Sequence, residues 1–506
     1  MIKKIATAAL ISLFSLSTVF AATTTYIEAA ISTDEGLQLK KSSVFDASES
    51  FIPNLDREVS YEWDFGDGNK NEGVQILHAY QEPGRYTVNL NVSDGISSSE
   101  TSKDVFAYRK LIVLITDQTE AEDRIQNIKQ FAESEGVFIE VIESFGSATD
   151  FISEEILTKK LNEEAKNIRK AGDIMVWTNA NSGINALSRS IQNGKSSKIN
   201  FSQKTITSIT DNPSAYTSRT ERQFDLIKPK NINLAKEGAI DILIESINDQ
   251  EFINTLEEKA YPHEIITSRT GKLRPWNFMS FFVNSLINNG VPDNTIALLL
   301  LLPLIATVVA FMKQVVGITT FGIYTPSIIT LSFFIIGIYA GLITLAVAIT
   351  VGALVRPILK KLRMLFIPKM AIVITLVSLS LLFVLIISNA IGLFDSEFLS
   401  IAIFPMLILS TLVEKFVSAK SEKGLSSAAV LMTETVIVAI IAYFIAGGEI
   451  NLGLFSLHFE FIRNLILTYP ETILLLLGIN VALGKWSGLR IMERLRFREV
   501  LRHIEE

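Results

Sequence analysis

The sequence contains no cysteine and only four histidines in 506 residues. The absence of cysteine excludes disulfide bonds, thiolate zinc sites and cysteine nucleophiles. The histidines stand far apart in the sequence, so we expect neither a histidine-based catalytic triad nor a zinc centre. The GxGxxG, Walker and GxSxG motifs are missing as well. We therefore expect no enzymatic activity, no cofactor and no resident metal.

Basic residues are fewer than acidic ones, 46 against 53, and the net charge of −7 gives no reason to expect a nucleic-acid partner. Hydrophobic residues nevertheless make up 48% of the chain, and the mean hydropathy is positive at +0.35 although 20% of the residues are charged. This combination predicts a soluble part joined to a membrane part. The length leaves room for three or four domains.

The N-terminus has the pattern of an export signal. Two lysines precede an apolar stretch at residues 5–20, and the small residue Ala21 offers a cleavage site. We interpret residues 1–21 as a signal peptide, with an uncleaved anchor helix as the alternative. Either interpretation places the following residues outside the cytoplasm.

Residues 22–108 alternate short apolar runs with polar turns, as in an all-β domain. The motif YEWDFGDG occupies residues 61–68, and PGRYTV follows at residues 83–88. This segment resembles the PKD family of extracellular Ig-like β-sandwiches, which are usually spacers or adhesive surfaces. We expect the aromatic residues of the motif to point inward and its glycines to supply the positive φ angles of a tight hairpin. The motif residues are Trp63, Asp64, Phe65, Gly66, Asp67, Gly68 and Tyr86.

Three aspartates of this segment, Asp46, Asp64 and Asp67, leave two interpretations open. They suit either a calcium site or turns in which their carboxylates accept hydrogen bonds from backbone amides. We expect the second arrangement, and no metal.

Residues 109–255 change to an alternation of apolar strands and helical segments. We expect strands near residues 110–115, 137–142, 173–178 and 200–210. We expect helices near residues 119–134, 150–170, 184–192 and 234–248, the second of them capped by Asp150. This order predicts a mainly parallel, doubly wound α/β sheet.

Ligands of such sheets bind beyond the carboxyl ends of the strands, where a helix N-terminus can hold an anion. The sequence places a set of polar and small residues there: Thr116, Asp117, Asn179, Asn181, Ser182 and Gly183. We take Asp117, Asn179, Asn181 and Ser182 as the candidate ligand site. A purely structural domain is the alternative.

Residues 256–293 form a junction with an aromatic stretch at residues 276–283. This stretch is either a helix lying flat at the outer membrane interface, where Trp and Phe are favoured, or a buried helix of the α/β domain.

Residues 294–484 are dominated by apolar runs of spanning length. We expect seven spans, at about residues 295–312, 320–339, 341–357, 370–393, 398–414, 425–446 and 465–483. The charges require the second and third spans to be separate. With an exported N-terminus, this division puts fifteen Lys and Arg residues in the cytoplasm, including those of the basic tail 485–506, and only Arg463 outside.

The helical region carries the motif LLLPLIAT at residues 300–307, VGITTFGIYTP at residues 316–326 and MLFIPK at residues 364–369. It resembles the bacterial seven-helix domain that is usually fused to an inactive transglutaminase-like domain, over about residues 270–506. The resemblance implies an inner-membrane protein, with exported N-terminal domains and a cytoplasmic C-terminus. Genes of this family tend to lie beside those of ATP-grasp peptide ligases, which implies a cytoplasmic partner of that type. This chain departs from the usual pattern, because a PKD-like segment and an α/β domain precede its helices.

Glu434 lies in the middle of the sixth expected span, where a charged side chain costs about 3 kcal/mol on insertion scales. It is either a functional group or a structural residue paired within the bundle, and Asn480 in the seventh span is a candidate partner.

Two functions remain open. The first is a non-enzymatic receptor or scaffold in the lipid bilayer, whose exported domains bind an unknown periplasmic ligand or protein while the helices couple to cytoplasmic partners. The second is a transporter or exporter of a small peptide or modified product, with a polar site near Glu434. Transporters often contain internal repeats, and the sequence shows none, which favours the first function.

Overall fold

The computed structural model describes residues 26–496 apart from short gaps at 54–56, 119–120, 146–148, 180, 194–198, 268–276, 290, 361–364, 392–395, 449, 452–455, 458–459, 487 and 489. The signal peptide expected at residues 1–21 and residues 497–506 of the basic tail lie outside this description. The chain divides into two compact units. The first holds the residues up to Lys110 together with Gln130–Phe138, and the second holds Leu111–Lys129 and the chain from Ile139 onward.

The first unit is a β-sandwich. Its strands are β1 Gly36–Gln38, β2 Ser43–Asp46, β3 Ser60–Asp64, β4 Lys70–Glu72, β5 Gln75–His78, β6 Gly84–Ser93 and β7 Ser98–Tyr108. One sheet has the order β1-β7-β6-β3-β4, and β2 pairs with β5 in a second, two-stranded sheet. The long β6–β7 hairpin is antiparallel over ten residue pairs, from Gly84 and Ala107 to Ser93 and Ser98.

Aromatic side chains fill the core of the sandwich, as the motif predicts. Trp63 and Phe65 are each 1% exposed, and Phe45 packs edge-on against both rings. The indole nitrogen of Trp63 donates to the carbonyl of Gly73 at 2.8 Å, so the ring is buried without losing its hydrogen bond. Gly66 and Gly68 have φ angles of 72° and 88°, which confirms the expected hairpin geometry.

The second unit begins with a six-stranded sheet. Its strands are β8 Lys110–Thr116, β9 Val137–Glu143, β10 Asp173–Trp177, β11 Thr205–Ile209, β12 Asn231–Ala235 and β13 His263–Ile266, in the order β13-β12-β11-β10-β8-β9. Strand β10 runs parallel to β8 and β11, and β11 runs parallel to β12. Strand β13 is antiparallel to β12 and comes from the segment that we interpreted as a junction.

The described residues of this part of the chain form seven helices: α1 Glu122–Ser134, α2 Asp150–Glu163, α3 Ala165–Lys170, α4 Ser182–Asn193, α5 Pro213–Ile227, α6 Ala239–Glu245 and α7 Asp249–Glu258. Three details differ from expectation. The N-cap of α2 is Thr149, not Asp150, because the Thr149 side chain accepts from the amide of Ile152. Helix α5 was not predicted. The helix expected to begin at Leu234 starts at Ala239, because Leu234 belongs to the fully buried strand β12.

Further helices follow: α8 Phe278–Asn288, α9 Asp293–Phe311 with a π-turn at Met312–Val316, α10 Tyr324–Ile336, α11 Ile338–Lys360, α12 Phe366–Ile391, α13 Ser396–Lys423, α14 Leu425–Ile445, α15 Glu460–Thr468, α16 Ile473–Gly484 and α17 Ile491–Arg496. A 3₁₀ turn at Pro470–Thr472 leads into α16, and a short bridge, β14 Ile450–Asn451 with β15 Ser456–Leu457, precedes α15. Helix α8 is amphipathic, with Val283 buried and Phe282 61% exposed.

Among the described residues, three helices are long and apolar enough to cross a membrane, or four if a bent pair counts as one span. The protein is therefore a membrane protein, although these helices are fewer than the seven spans expected. The second and third expected spans are separate helices, divided at Gly337, whose φ is 85°. The seventh expected span is broken at Pro470: α15 and the segment Pro470–Gly484 meet at 107°. Pro470 lacks an amide hydrogen, which suits it to the start of a new helical segment.

Candidate functional site

The carboxylate of Asp117 is the centre of a polar cluster at the carboxyl edge of the second sheet. Asp117 follows β8 and Asn179 follows the neighbouring parallel strand β10. The amide of Asn179 donates to Asp117 Oδ1 at 2.8 Å, and the hydroxyl of Ser182 donates to Asp117 Oδ2 at 2.9 Å. Three of the four candidate ligand-site residues thus lie together. The side-chain amide of the fourth, Asn181, donates instead to Asn185 at 3.3 Å.

Asp117 is only 8% exposed, and burial raises its pKa to about 6 in spite of these hydrogen bonds. A further donor comes from helix α2, whose Ser153 hydroxyl lies 3.1 Å from Asp117 Oδ2. Ser153 Oγ is also 2.8 Å from Ser144 Oγ. Sequence reasoning missed both serines, because α2 and the end of β9 reach this sheet edge only through the fold.

Helix α2 also carries a buried carboxylate, Glu154, where it contacts the apolar helix α9. Glu154 is fully buried, and burial raises its pKa to about 8. Arg189 of α4 approaches it to 3.2 Å, and the side-chain amide of Asn294, in the first turn of the apolar helix α9, donates to its other oxygen. Within the second unit, the part that carries the six-stranded sheet is therefore hydrogen-bonded to the apolar helix α9 through a buried ionisable group.

The first turn of α2 makes two more contacts with the helical region. The hydroxyl of Thr149 donates to the carbonyl of Ile335 at the end of α10, at 2.8 Å. Asp150 forms an ion pair of 3.0 Å with Arg463 of α15. Ile152 is buried in the same apolar cluster as the membrane helices. Helix α2 thus touches α9, α10 and α15, and we call it the coupling helix.

Helix α5 adds to this junction. Asp293, the residue before Asn294, lies 3.8 Å from Arg219 and accepts from the side-chain amide of Asn185 at 3.2 Å. Gln223 of α5 donates to Asn185 at 3.1 Å. These residues come from three distant segments, and none of them forms a motif. The sequence offers only one signal, the Asp-Asn pair at the start of the first apolar run.

In the helical region, both described hydrogen bonds to Glu434 come from Thr319 and end on Oε2. One donor is the amide of Thr319, 3.1 Å away, and the other is its hydroxyl. Asn480 is not the partner of Glu434. Its side-chain amide donates to Thr307 of α9 at 2.7 Å and to the carbonyl of Leu476 at 2.9 Å.

The aspartates of the sandwich cap turns, as expected. Asp46 accepts from the amide of Ser48 at 2.8 Å, Asp64 from that of Gly66 at 3.0 Å, and Asp67 from that of Asn69 at 3.0 Å. Within the described part of the chain, no group of three or more acidic or histidine side chains is arranged to hold a metal ion.

Comparison with known proteins gives matches to two separate parts of the chain. Residues 28–107 match a PKD domain model. Collagenase ColA of Clostridium perfringens is 31% identical over 109 residues, which are 21% of this chain and 10% of that protein. The chain therefore spans about a tenth of the length of this curated relative.

Two solved structures are similar to the same segment. The PKD1 domain of Vibrio anguillarum Epp is 27% identical, with 16% of this chain and 93% of that chain covered and a TM-score of 0.14. The PKD1 domain of the Vibrio cholerae metalloprotease PrtV is 26% identical, with 16% and 96% covered and a TM-score of 0.14.

The second of these parts, residues 244–501, matches a family model described as 7 transmembrane helices usually fused to an inactive transglutaminase. This match covers just over half of the 506 residues. The chain therefore belongs to this seven-transmembrane-helix family, and it carries a PKD domain ahead of the family region.

Proposed function

We propose that the protein is a non-enzymatic receptor or scaffold of the bacterial inner membrane. The PKD and α/β domains bind a periplasmic ligand or protein, and the seven-helix region couples that event to a cytoplasmic partner, of which an ATP-grasp ligase is the candidate type. One observation carries the proposal. The coupling helix α2 holds Asp117 at the edge of the sheet through Ser153, and its neighbouring residues hold the membrane helices α9, α10 and α15.

Ser153 and Glu154 are adjacent in the coupling helix, so a shift of α2 at the sheet edge also moves the group that is bonded to α9. A ligand that changes the hydrogen bonds of Asp117 therefore alters the environment of a buried ionisable group at the membrane. Packed helices that carry such groups favour discrete arrangements over continuous deformation.

The contacts of the α/β domain also support the proposed topology. They involve the start of α9, the end of α10 and the chain at Arg463 to Thr468, where Arg222 donates to the carbonyl of Thr468 at 3.0 Å. With seven spans, the positive-inside rule puts all of these positions on the periplasmic side. Hydrogen-bond geometry and charge asymmetry are independent arguments, and they agree.

Topology can be tested by cysteine labelling, because the natural chain has no cysteine. Cysteines at Ser97 and Ser396 should react with an impermeant reagent in intact spheroplasts. A cysteine at Ser421 should react only after permeabilisation, and reaction in intact cells would contradict the topology.

The coupling is tested with Asp117→Asn in the full-length membrane protein. We expect altered hydrogen exchange in α9 and α10, and altered recovery of copurifying cytoplasmic proteins relative to the unmodified chain. Glu163→Gln, at the exposed end of the same helix, is the matched control and should change neither. Unchanged exchange in α9 and α10, with the same copurifying proteins, would exclude the coupling.

Transport of a small peptide or modified product is the second candidate. It is favoured by the break between α9 and α10, since discontinuous helices with an ionisable neighbour form substrate sites in some transporters. Uptake or efflux by reconstituted vesicles, lost in Glu434→Gln, would favour transport over the receptor function.

A further inference from the structure

Two apolar helices of the bundle are too short to cross a membrane. Helix α10 has 13 residues and α16 has 12, which correspond to about 20 Å and 18 Å at 1.5 Å per residue. The hydrocarbon core is about 30 Å thick. Helices α11 and α14, with 23 and 21 residues, are long enough to cross it. Helices α10 and α16 therefore fail to reach one of the two membrane faces.

The contacts with α14 show which face α10 does not reach. At its C-terminal end, α10 packs beside the C-terminal half of α14: Phe334 lies 4.8 Å from the ring of Tyr443, and Thr330 donates to the carbonyl of Ala439 at 3.0 Å. This is the end at which Thr149 of the α/β domain binds. Helix α10 therefore reaches the membrane face next to the α/β domain and ends before the opposite face.

The non-helical segment Gly317–Ile323 precedes α10, and it lies at the middle of α14. Thr319 binds Glu434, and the amide of Phe321 donates to Thr435 at 3.2 Å. Glu434 is nine residues from the start of α14, about 14 Å along its axis. Thr319 is thus level with the middle of α14, while Gly317 lies at the end of the crossing segment Asp293–Val316 and so nearer to the face opposite the α/β domain. We call Gly317–Ile323 the mid-membrane segment.

This segment and the start of α10 are only partly covered by the described residues: Thr320 and Thr325 are buried, but the residues between them are not. Tyr324 is 81% exposed and Ile323 is 42% exposed, and Thr319 and Gly322 are also exposed. Irregular backbone at membrane depth occurs where it is buried in protein or lines a water-filled cavity, because hydrocarbon cannot satisfy its amides and carbonyls. At the exposed positions, the described residues of this chain do not supply the first arrangement.

Charged side chains lie beside this segment and the start of α10. Lys415 of α13 donates to the hydroxyl of Thr325 at 2.8 Å, and the side chain of Arg490 packs against Gly317. Gly317 has a φ of 92°, and a Cβ there would lie 3.0 Å from Arg490 Cβ. Lys313 and Lys485 lie at the ends of α9 and α16. The positive-inside rule assigns these four cations to the cytoplasmic side, from which water can reach them.

We propose that the mid-membrane segment lines a water-filled recess that opens to the cytoplasm and reaches about half way into the membrane, with Glu434 and Lys415 on its walls. Water satisfies the exposed backbone and the cationic groups. The recess gives cytosolic solutes access to Glu434, and it holds for either candidate function.

Cysteine accessibility tests this proposal on the full-length chain, with no native thiol to remove. The test variants are Ile323→Cys and Tyr324→Cys. The matched control is Phe383→Cys, a 62% exposed position within the apolar helix α12. Each is treated with a membrane-impermeant cationic methanethiosulfonate, in inverted membrane vesicles and in intact spheroplasts.

In inverted vesicles we expect Ile323→Cys and Tyr324→Cys to react at least about tenfold faster than Phe383→Cys, because the reactive thiolate forms in water and not in hydrocarbon. In intact spheroplasts they should not react. Rates equal to that of the control would mean that lipid or another protein covers the segment, and faster reaction from the outside would reverse the opening. Either result overturns the proposal. Equal elution volumes of all variants on size exclusion in detergent would show that the fold is retained. The two test variants should give the same result, so each is a control for the other.

Discussion

The acidic residues of the two compact units are in opposite environments. In the sandwich, hydrogen bonds from backbone amides and from neighbouring side chains hold the pKa values of Asp46, Asp64 and Asp94 below their usual range, with Lys70 acting on Asp64 and Arg57 on Asp94. In the second unit, burial raises the pKa values of Asp117 and Glu154 above theirs. The first group gains from being ionised, while the second is kept in a place where ionisation is costly.

This difference separates carboxylates that stabilise a turn from carboxylates whose protonation can respond to a change in their surroundings. A turn aspartate such as Asp94, which accepts from the amides of Ile96 and Ser97 and pairs with Arg57 at 2.7 Å, has one stable arrangement. A buried carboxylate such as Glu154 depends on each of its few partners. Perturbed pKa values of this kind concentrate at functional sites, although ion-pair networks also produce them.

The largest effect is expected from Trp63→Ala, which removes the core of the sandwich and leaves the second unit intact. Loss of a fully buried aromatic side chain should lower the free energy of unfolding of the first unit by about 3–5 kcal/mol. Urea-dependent pulse proteolysis of the full-length chain, with fragments assigned by mass spectrometry, measures each unit separately. Val44→Ala, at a position 53% exposed, is the control and should change little. Equal losses in both units would contradict their independence.

Arg189→Met sharpens the comparison from the other side. It removes a hydrogen-bonding partner of Glu154, whose pKa burial raises to about 8, so the carboxyl takes up a proton and the loss is that of a buried hydrogen bond, about 1–3 kcal/mol. The loss should appear in the second unit only, in the same proteolysis experiment. Above pH 8 the double variant Glu154→Gln with Arg189→Met should be more stable than Arg189→Met alone, because the amide cannot ionise. If the double variant is as unstable as the single one, Arg189 stabilises the unit through the packing of its side chain and not through its charge.

The sandwich could be predicted from sequence in detail, whereas the junction could not. The positions of Trp63, Phe65 and the two hairpin glycines follow from their spacing within one short segment, so the sequence of that segment is enough to predict them. The strands from β8 to β11 were also placed, because buried strands are continuous apolar runs. Strand β12, Asn231–Ala235, was missed because it interleaves asparagines with apolar residues, and both kinds are buried.

The partners of Glu154 lie on α4 and α9, and the partners of Asp117 lie on α2 and α4. Such contacts follow from the packing of elements distant in sequence. The predicted pair of Glu434 and Asn480 failed for the same reason: depth in a membrane is readable from sequence, but the face of a helix that meets its neighbour is not. Thr307 and Thr319 are the residues that occupy those faces.

Acidification should change the stability of the two units in opposite directions. The folded-state pKa of Asp117 is about 6 and the ordinary value is 3.8, so the folded state binds more protons between these values. Its contribution to stability is fully present below pH 3.8 and is lost as the pH rises through 6, so Asp117 should add about 1 kcal/mol to the stability of the second unit from pH 7 to pH 5. Glu154, whose pKa burial raises to about 8, adds a dependence of the same sign, so Asp117→Asn should remove only the Asp117 share. Asp94 has a lowered pKa, so the first unit should instead lose stability as the pH falls below 3.8. A second unit whose pH dependence is the same with and without Asp117→Asn would contradict the assignment.

The smallest expected effect is that of calcium on the sandwich, which we predict to be none. A calcium site needs six to eight oxygen ligands, but Asp46, Asp64 and Asp67 each spend an oxygen on a backbone amide of their own turn. Asp64 also pairs with Lys70 at 2.9 Å, and Asp67 lies 2.8 Å from the ring of His78, so an ion would have to displace cationic or hydrogen-bonded partners. The melting temperature of the first unit should therefore be the same in millimolar calcium and in chelator. The variant Asp64→Asn, which retains an oxygen for the Gly66 amide, should be equally insensitive. An upward shift that saturates with calcium concentration, and that Asp64→Asn abolishes, would show that these aspartates bind metal and would remove the contrast between the two units.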